Sequence, residues 1–160
     1  MSTNIDLDHT NVSCQVNQSC GTKNATKQVG VTLAWLLAVA FAVATIIGFV
    51  PNPLVGQNAL FVTNTAHNLV HLLTAIGFAA VAVIGHRAST VFMLAFGPIY
   101  ALVGLIGFIA LGSASEGHLL GIIHINFLDN FLHVGLGILI GGAGWFALSK
   151  TNRSTIRTQS

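Results

Sequence analysis

His67 and His71 stand four residues apart, and so do Asp129 and His133. On a helix that spacing sets both side chains on one face, about one turn apart. Three imidazoles and a carboxylate form a ligand set for zinc, iron, manganese or copper. His118 and His124 could add ligands from the intervening loop. His71 and His133, facing each other across a bundle, are also the axial pair that haem would require. A metalloprotease helix needs Glu as general base beside its first His; here Asn68 holds that place, and an amide cannot take the proton. The chain has neither a Gly-rich phosphate loop nor a Ser nucleophile motif. With no nucleophile–base set, the expected function is non-enzymatic.

Four asparagines accompany these residues. Positions 64, 67, 68 and 71 fall within an arc of about 100° on a helix, and so do 126, 129, 130 and 133. Asn64 and Asn126 are candidate N-caps, whose side chains accept orphan backbone N–H groups. Asn68 and Asn130 extend each polar stripe. Asn and His side chains can hydrogen-bond across membrane helices and fix their register. The first expectation is therefore a small accessory or structural membrane protein with an outward-facing His/Asn/Asp cluster, in which Asp129 pairs with His67. The alternatives are metal or haem binding by the same cluster, and a proton or ion path, which intramembrane His and Asp also mark.

The elements that must carry these side chains follow from composition. The chain has 160 residues, of which six are Lys or Arg and four Asp or Glu; 53% are hydrophobic and the mean hydropathy is +0.78. Soluble domains carry about a quarter charged residues. The balance argues against a soluble enzyme and against a nucleic-acid partner. Four apolar runs, at 29–50, 66–85, 91–112 and 130–148, each approach the roughly 20 residues that cross a bilayer as a helix. The expected fold is all-α: an integral membrane four-helix bundle spanning 29–148, with the lipid bilayer as its partner. A polar tail over 1–28 is expected to be disordered, and 149–160 forms a basic tail. Cys14 and Cys20 read as free thiols, and three Asn-x-Ser/Thr matches in the first tail read as chance.

Lys23, Lys27, Arg87, Lys150, Arg153 and Arg157 are all of the basic residues. They fall before span one, between spans two and three, and after span four. The positive-inside rule then puts both termini and a His86–Thr90 turn on the cytoplasmic side. Trp35 and Trp145 would lie toward that interface. Leu119–Ile125 is too short to span, and would lie along the outer interface or cap the stripes.

Shifted by 62 residues, the chain partly matches itself: Asn64, Asn68 and His71 lie over Asn126, Asn130 and His133, with His67 over Asp129. Two repeated transmembrane hairpins, related by an axis along the membrane normal, are expected. Gly104, Gly107, Gly137 and Gly141 suit close helix packing or a homo-oligomer contact, and Gly97-Pro98 a bend in span three. The Asn-x-x-His-Asn-Leu-Val-His-Leu-Leu stretch at 64–73 and Asp-Asn-Phe-Leu-His-Val-Gly-Leu-Gly at 129–137 resemble domain-of-unknown-function family 4383 over about residues 29–148. The resemblance implies a small bacterial four-span protein of the cytoplasmic or a related internal membrane. It brings no activity and no catalytic residue with it.

Overall fold

The computed structural model describes the backbone over residues 9–157 and the side chains over 28–150. The expectations for Cys14, Cys20, the glycosylation patterns and most of both tails lie outside the described side chains. In chain order the elements are α1 (His9–Phe49), β1 (Val55–Gly56), β2 (Phe61–Val62), α2 (Thr65–Ile84), α3 (His86–Leu111), β3 (Glu116–Leu119), β4 (Ile123–Asn126) and α4 (Phe127–Arg157). Four stretches, Gln28–Phe49, Thr65–Ile84, His86–Leu111 and Phe127–Lys150, are long and apolar enough to cross a membrane.

One boundary departs clearly from the expected spans. The anticipated His86–Thr90 turn is helix, and a single residue, Gly85, joins α2 to α3 at φ 125°. Polar side chains suggested a loop there. The Ser89 and Thr90 hydroxyls instead donate to the Gly85 and His86 carbonyls one turn back, at 3.0 and 2.8 Å, so the helix absorbs them. The all-α expectation also misses two small sheets. β1 and β2 are parallel, with Val55 opposite Phe61, while β3 and β4 form an antiparallel hairpin, with Glu116 opposite Asn126. The hairpin turns at Leu120 and Gly121, both at positive φ, which matches the twist of its strands.

The bundle buries a layer of polar side chains and is apolar outside. Buried side chains include His67, Asn68, His71, Thr74, Ser89, Thr90, Asp129, Asn130 and His133, whereas Leu36, Ile46, Leu73, Ile109, Ile138 and Leu139 are exposed. In water such a surface would aggregate; against lipid tails it costs nothing. Below the polar layer Phe78 fills the centre, stacked on Phe41 and edge-on to Phe92 and Phe96.

Within each pair, α1 runs antiparallel to α2 and α3 to α4. Glycines let α3 and α4 touch backbone to backbone. A Cβ on Gly97 would strike the Gly141 backbone, one on Gly137 the Ala101 backbone, and one on Gly104 the Asn130 carbonyl at 2.6 Å. Gly144 plays the same part against Leu94, at 2.9 Å from its backbone nitrogen. Gly97 and Gly144 were not anticipated as packing positions. The anticipated Gly141 acts by offering bare backbone to Gly97, since its own Cβ would find only ordinary contacts. Alanine normally stabilises a helix interior over glycine by about 0.5–1 kcal/mol. Overpacking against immovable backbone costs about 1–3 kcal/mol and wins. Gly97→Ala and Gly137→Ala should therefore lower the melting temperature in detergent, measured by circular dichroism. Gly135→Ala and Gly142→Ala, whose Cβ atoms would meet nothing within 4 Å, should not.

Candidate metal centre

Asparagine caps begin both helices that carry the cluster. Asn64 Oδ1 accepts the His67 N–H at 3.0 Å, and Asn126 Oδ1 accepts the Asp129 N–H at 2.9 Å. Each amide then reaches across the molecule. Asn64 Nδ2 donates to the Ile122 carbonyl and Asn126 Nδ2 to the Leu60 carbonyl, both at 2.8 Å. Two residues thus cap their helices and stitch each hairpin's outer loop to the other.

Asn68 and Asn130 work one turn deeper. Asn68 Nδ2 donates to the Gly48 carbonyl at 2.8 Å, and its side chain occupies the space where a Cβ on Gly48 would stand. Asn130 fills the corresponding space over Gly107. Gly107 was anticipated as a packing residue; Gly48 was not.

The four cluster residues come together. His67, His71 and His133 are buried, and each offers a ligand atom such that all three lie within 4.8 Å of one another. Asp129 Oδ2 lies 3.4 Å from His133 Nδ1 and 4.0 Å from His67 Nε2. The expected His67–Asp129 pairing is thus a loose approach, and His133 lies closer to the carboxylate. His67 Nδ1 meets the His124 carbonyl at 2.8 Å, and His133 Nδ1 meets the Asp129 carbonyl at 2.8 Å. A carbonyl can only accept, so both rings carry hydrogen on Nδ1. In their neutral form they leave Nε2 with a free lone pair. This is how metal-binding histidines are oriented by their surroundings. His71 has no hydrogen-bond partner on either ring nitrogen, and Asp129 Oδ2 has none either.

His118 and His124 do not join this cluster as ligands. Their rings stack on each other at 4.6 Å on the β3–β4 hairpin, with Glu116 Oε2 3.9 Å from His124 Nε2. His124 acts through its backbone. The Leu119–Ile125 stretch caps the cluster, turning Leu119 and Ile125 into the core against Leu111.

Two aromatic walls were missed. Phe41 lies edge-on to His71 at 5.7 Å, and Tyr100 stacks on His133 at 4.5 Å. Phe41 and Tyr100 are 59 residues apart, as are Gly48 and Gly107. A shift of 59 for the first helix of each pair, beside 62 for the second, would have revealed both.

A cavity of about 210 Å³ adjoins the cluster, reaching from His67, Asp129 and His133 out between α2, α3 and the hairpin. A larger cleft, about 420 Å³, lies at the end of α1 under the 51–58 loop; it touches Asn64 and Asn68 but none of the histidines, so it is not the centre.

Losing one cap costs about 1 kcal/mol, and losing the cross-loop bond about as much again. Asn64→Ala should therefore destabilise the fold and speed amide exchange at Ile123–Asn126. Asn64→Asp, which keeps the cap acceptor but lacks the amide donor, should restore only the first effect. Exchange rates unchanged in both variants would refute the stitching role. No family model, curated protein or solved structure matches the chain.

Proposed function

We propose that this is an integral membrane protein that holds a first-row transition-metal ion between His67, His71 and His133. His71 carries the proposal. An imidazole with both nitrogens buried and unpartnered is expensive: each lost hydrogen bond leaves about 1–3 kcal/mol of desolvation unrecovered. A metal ion beside it removes that cost. His67 and His133 support the reading, since backbone carbonyls hold their Nδ1–H groups and leave Nε2 for a ligand bond. Three imidazoles favour zinc, copper, iron or cobalt over magnesium or calcium. Metal–nitrogen bonds of about 2.0–2.1 Å bring ligand atoms closer than 4.8 Å, so the rings would draw together by an ångström or so on binding. Asp129 stands beside the fourth position. There it would accept a hydrogen bond from whatever oxygen completes the coordination.

The purely structural reading accounts for Asn64, Asn68 and Asn126, each of which holds a helix or loop, and for Asn130 only as packing over Gly107, since its Nδ2 is unpartnered. It leaves His71 unexplained. Haem suits the site less well: the His67 ring, 4.7 Å from His71 and 5.7 Å from His133, takes the space a porphyrin would need beside those two. A proton or ion path would have to pass the layer of Phe41, Phe78, Phe92 and Phe96 beneath the cluster.

The reading extends to the setting. Arg87 and Lys150 belong to the end of the bundle opposite Asp129 and Glu116. With the positive-inside rule, this supports cytoplasmic termini and an outward-facing centre. The crosswise Asn64 and Asn126 bonds support descent from a duplicated hairpin, and the motifs at 64–73 and 129–137 a place in family 4383. Small residues on the exposed helix faces leave room for a homo-oligomer.

Purified protein should carry close to one equivalent of metal by elemental analysis. His71→Ala and His133→Ala should lose it, while Asn68→Ala retains it and is only less stable. Cobalt-loaded protein should show visible bands of a low-coordinate nitrogen site. Chelation should destabilise the fold, and metal restored at 100 times its Kd should return about 2.7 kcal/mol. Wild-type protein that binds none of zinc, cobalt, copper or iron on reconstitution would end the proposal.

A further inference from the structure

The cavity beside the cluster has a built polar floor and an apolar shaft. Val70, Ile99, Val103, Leu119, Ile123 and Ile125 line its walls, with Phe96 and Tyr100 among them. Val70 and Ile99 are 41% and 57% exposed and lie within two of the candidate spans, so the mouth opens toward lipid rather than water. At the other end stand His67, Asp129, Asn130 and His133, with Thr74 also on the wall. Asp129 is 1% exposed, and its Oδ2 has no donor.

We propose that this cavity binds an uncharged, lipid-soluble molecule with one ring and a hydroxyl group, taken up sideways from the bilayer. Size selects the ring. A dry apolar cavity of about 150 Å³ accepts benzene, and 210 Å³ leaves room for one substituent. The shaft selects against charge, since no basic side chain lines it and its mouth lies in hydrocarbon. The floor selects a hydroxyl, which can donate to Asp129 Oδ2 and accept from Asn130 Nδ2, both buried without a partner, whereas an ether can only accept and a bare ring does neither. Tyr100, stacked on His133, gives the ring an aromatic wall at the same depth. The site goes beyond the metal reading and does not rest on it: Asp129 Oδ2 and Asn130 Nδ2 are both unpartnered within the protein itself, and Asn130 is not among the residues that would hold an ion.

The test uses full-length protein in lipid nanodiscs with labelled Ile and Val methyl groups, in metal-free and zinc-loaded forms. 4-Propylphenol and its methyl ether are titrated separately. The phenol should produce saturable shifts at Val70, Ile99, Val103, Ile123 and Ile125. The ether should bind about tenfold more weakly, the loss expected for one hydrogen bond. Val103→Phe, which fills the shaft, should abolish saturable phenol binding while leaving metal content unchanged. Ile99→Trp closes the mouth from the lipid side and serves the same purpose should Val103→Phe fail to fold. Equal affinity for phenol and ether, shifts spread evenly over lipid-facing methyls, or undiminished binding in a folded filled variant would each overturn the proposal. Phenol binding by a protein that takes up no metal would sustain this inference and end the metal reading. Metal uptake without phenol binding would do the reverse.

Discussion

An imidazole without a partner, inside a bundle coated with exposed leucine and isoleucine, sets the terms for the rest of this molecule. His71 cannot turn outward without placing its nitrogens in hydrocarbon. Turned inward, it meets Phe41 on one side and the rings of His67 and His133 on the other, with nothing to accept or donate a hydrogen. Native proteins retain only about 5–15 kcal/mol of net stability. A group that costs even 1–3 kcal/mol is therefore a large exception, and it gains meaning from the two neighbours whose free lone pairs converge on it.

The outer loops are part of that arrangement. The His124 carbonyl fixes the tautomer of His67, and β4 is in turn held by the Asn64 amide at Ile122. A loop of the second hairpin thus orients a ring on the first. The Asn126 amide does the converse at Leu60. Loosening either stitch would let a hairpin swing and a ring rotate, so positional precision at the centre depends on two amides that never touch it. These bonds are exposed, and each alone contributes modestly. Their worth lies in coupling the two loops.

The helices, the inward direction of the polar stripes and the caps were legible because each follows from spacing on one helix. Asn64 and Asn126 stand at the head of the two polar stripes, three residues before His67 and Asp129, and their N-cap role needs no tertiary knowledge. The meeting of His67, His71, Asp129 and His133 was legible through the cost of facing lipid. What stayed hidden depends on partners far away in sequence. His124 was read as a ring and matters as a carbonyl, because strand pairing of a short Gly-containing loop leaves little periodic signal. Phe41 and Tyr100 looked like ordinary span residues. α3 runs four residues past Gly107 where α1 runs one past Gly48, and this three-residue difference moves α1 and α3 out of the register that α2 and α4 keep and hid their correspondence. Ser89 and Thr90 suggested a turn because polarity alone does not show whether a hydroxyl bonds to water or to its own helix.

The same rings explain why the bundle is unevenly packed. Helices that meet through ordinary side chains lie about 8–10 Å apart. α3 and α4 are drawn together by Gly97, Gly104 and Gly137, where backbone meets backbone. α2 and α4 cannot do likewise, because the His71 and His133 rings stand between them with centroids 6.3 Å apart, and His67 stands beside both. The imidazoles act as spacers. Space left beside a spacer fills with side chains only if the neighbours can lean in, and Tyr100 is already committed to His133 while the hairpin above is tied down by Asn64. The cavity next to Asp129 is thus a geometric consequence of burying three rings between helices that glycine holds rigid elsewhere. Shrinking one of those rings, rather than any wall residue, is the change that would let α2 close on α4 and erase it.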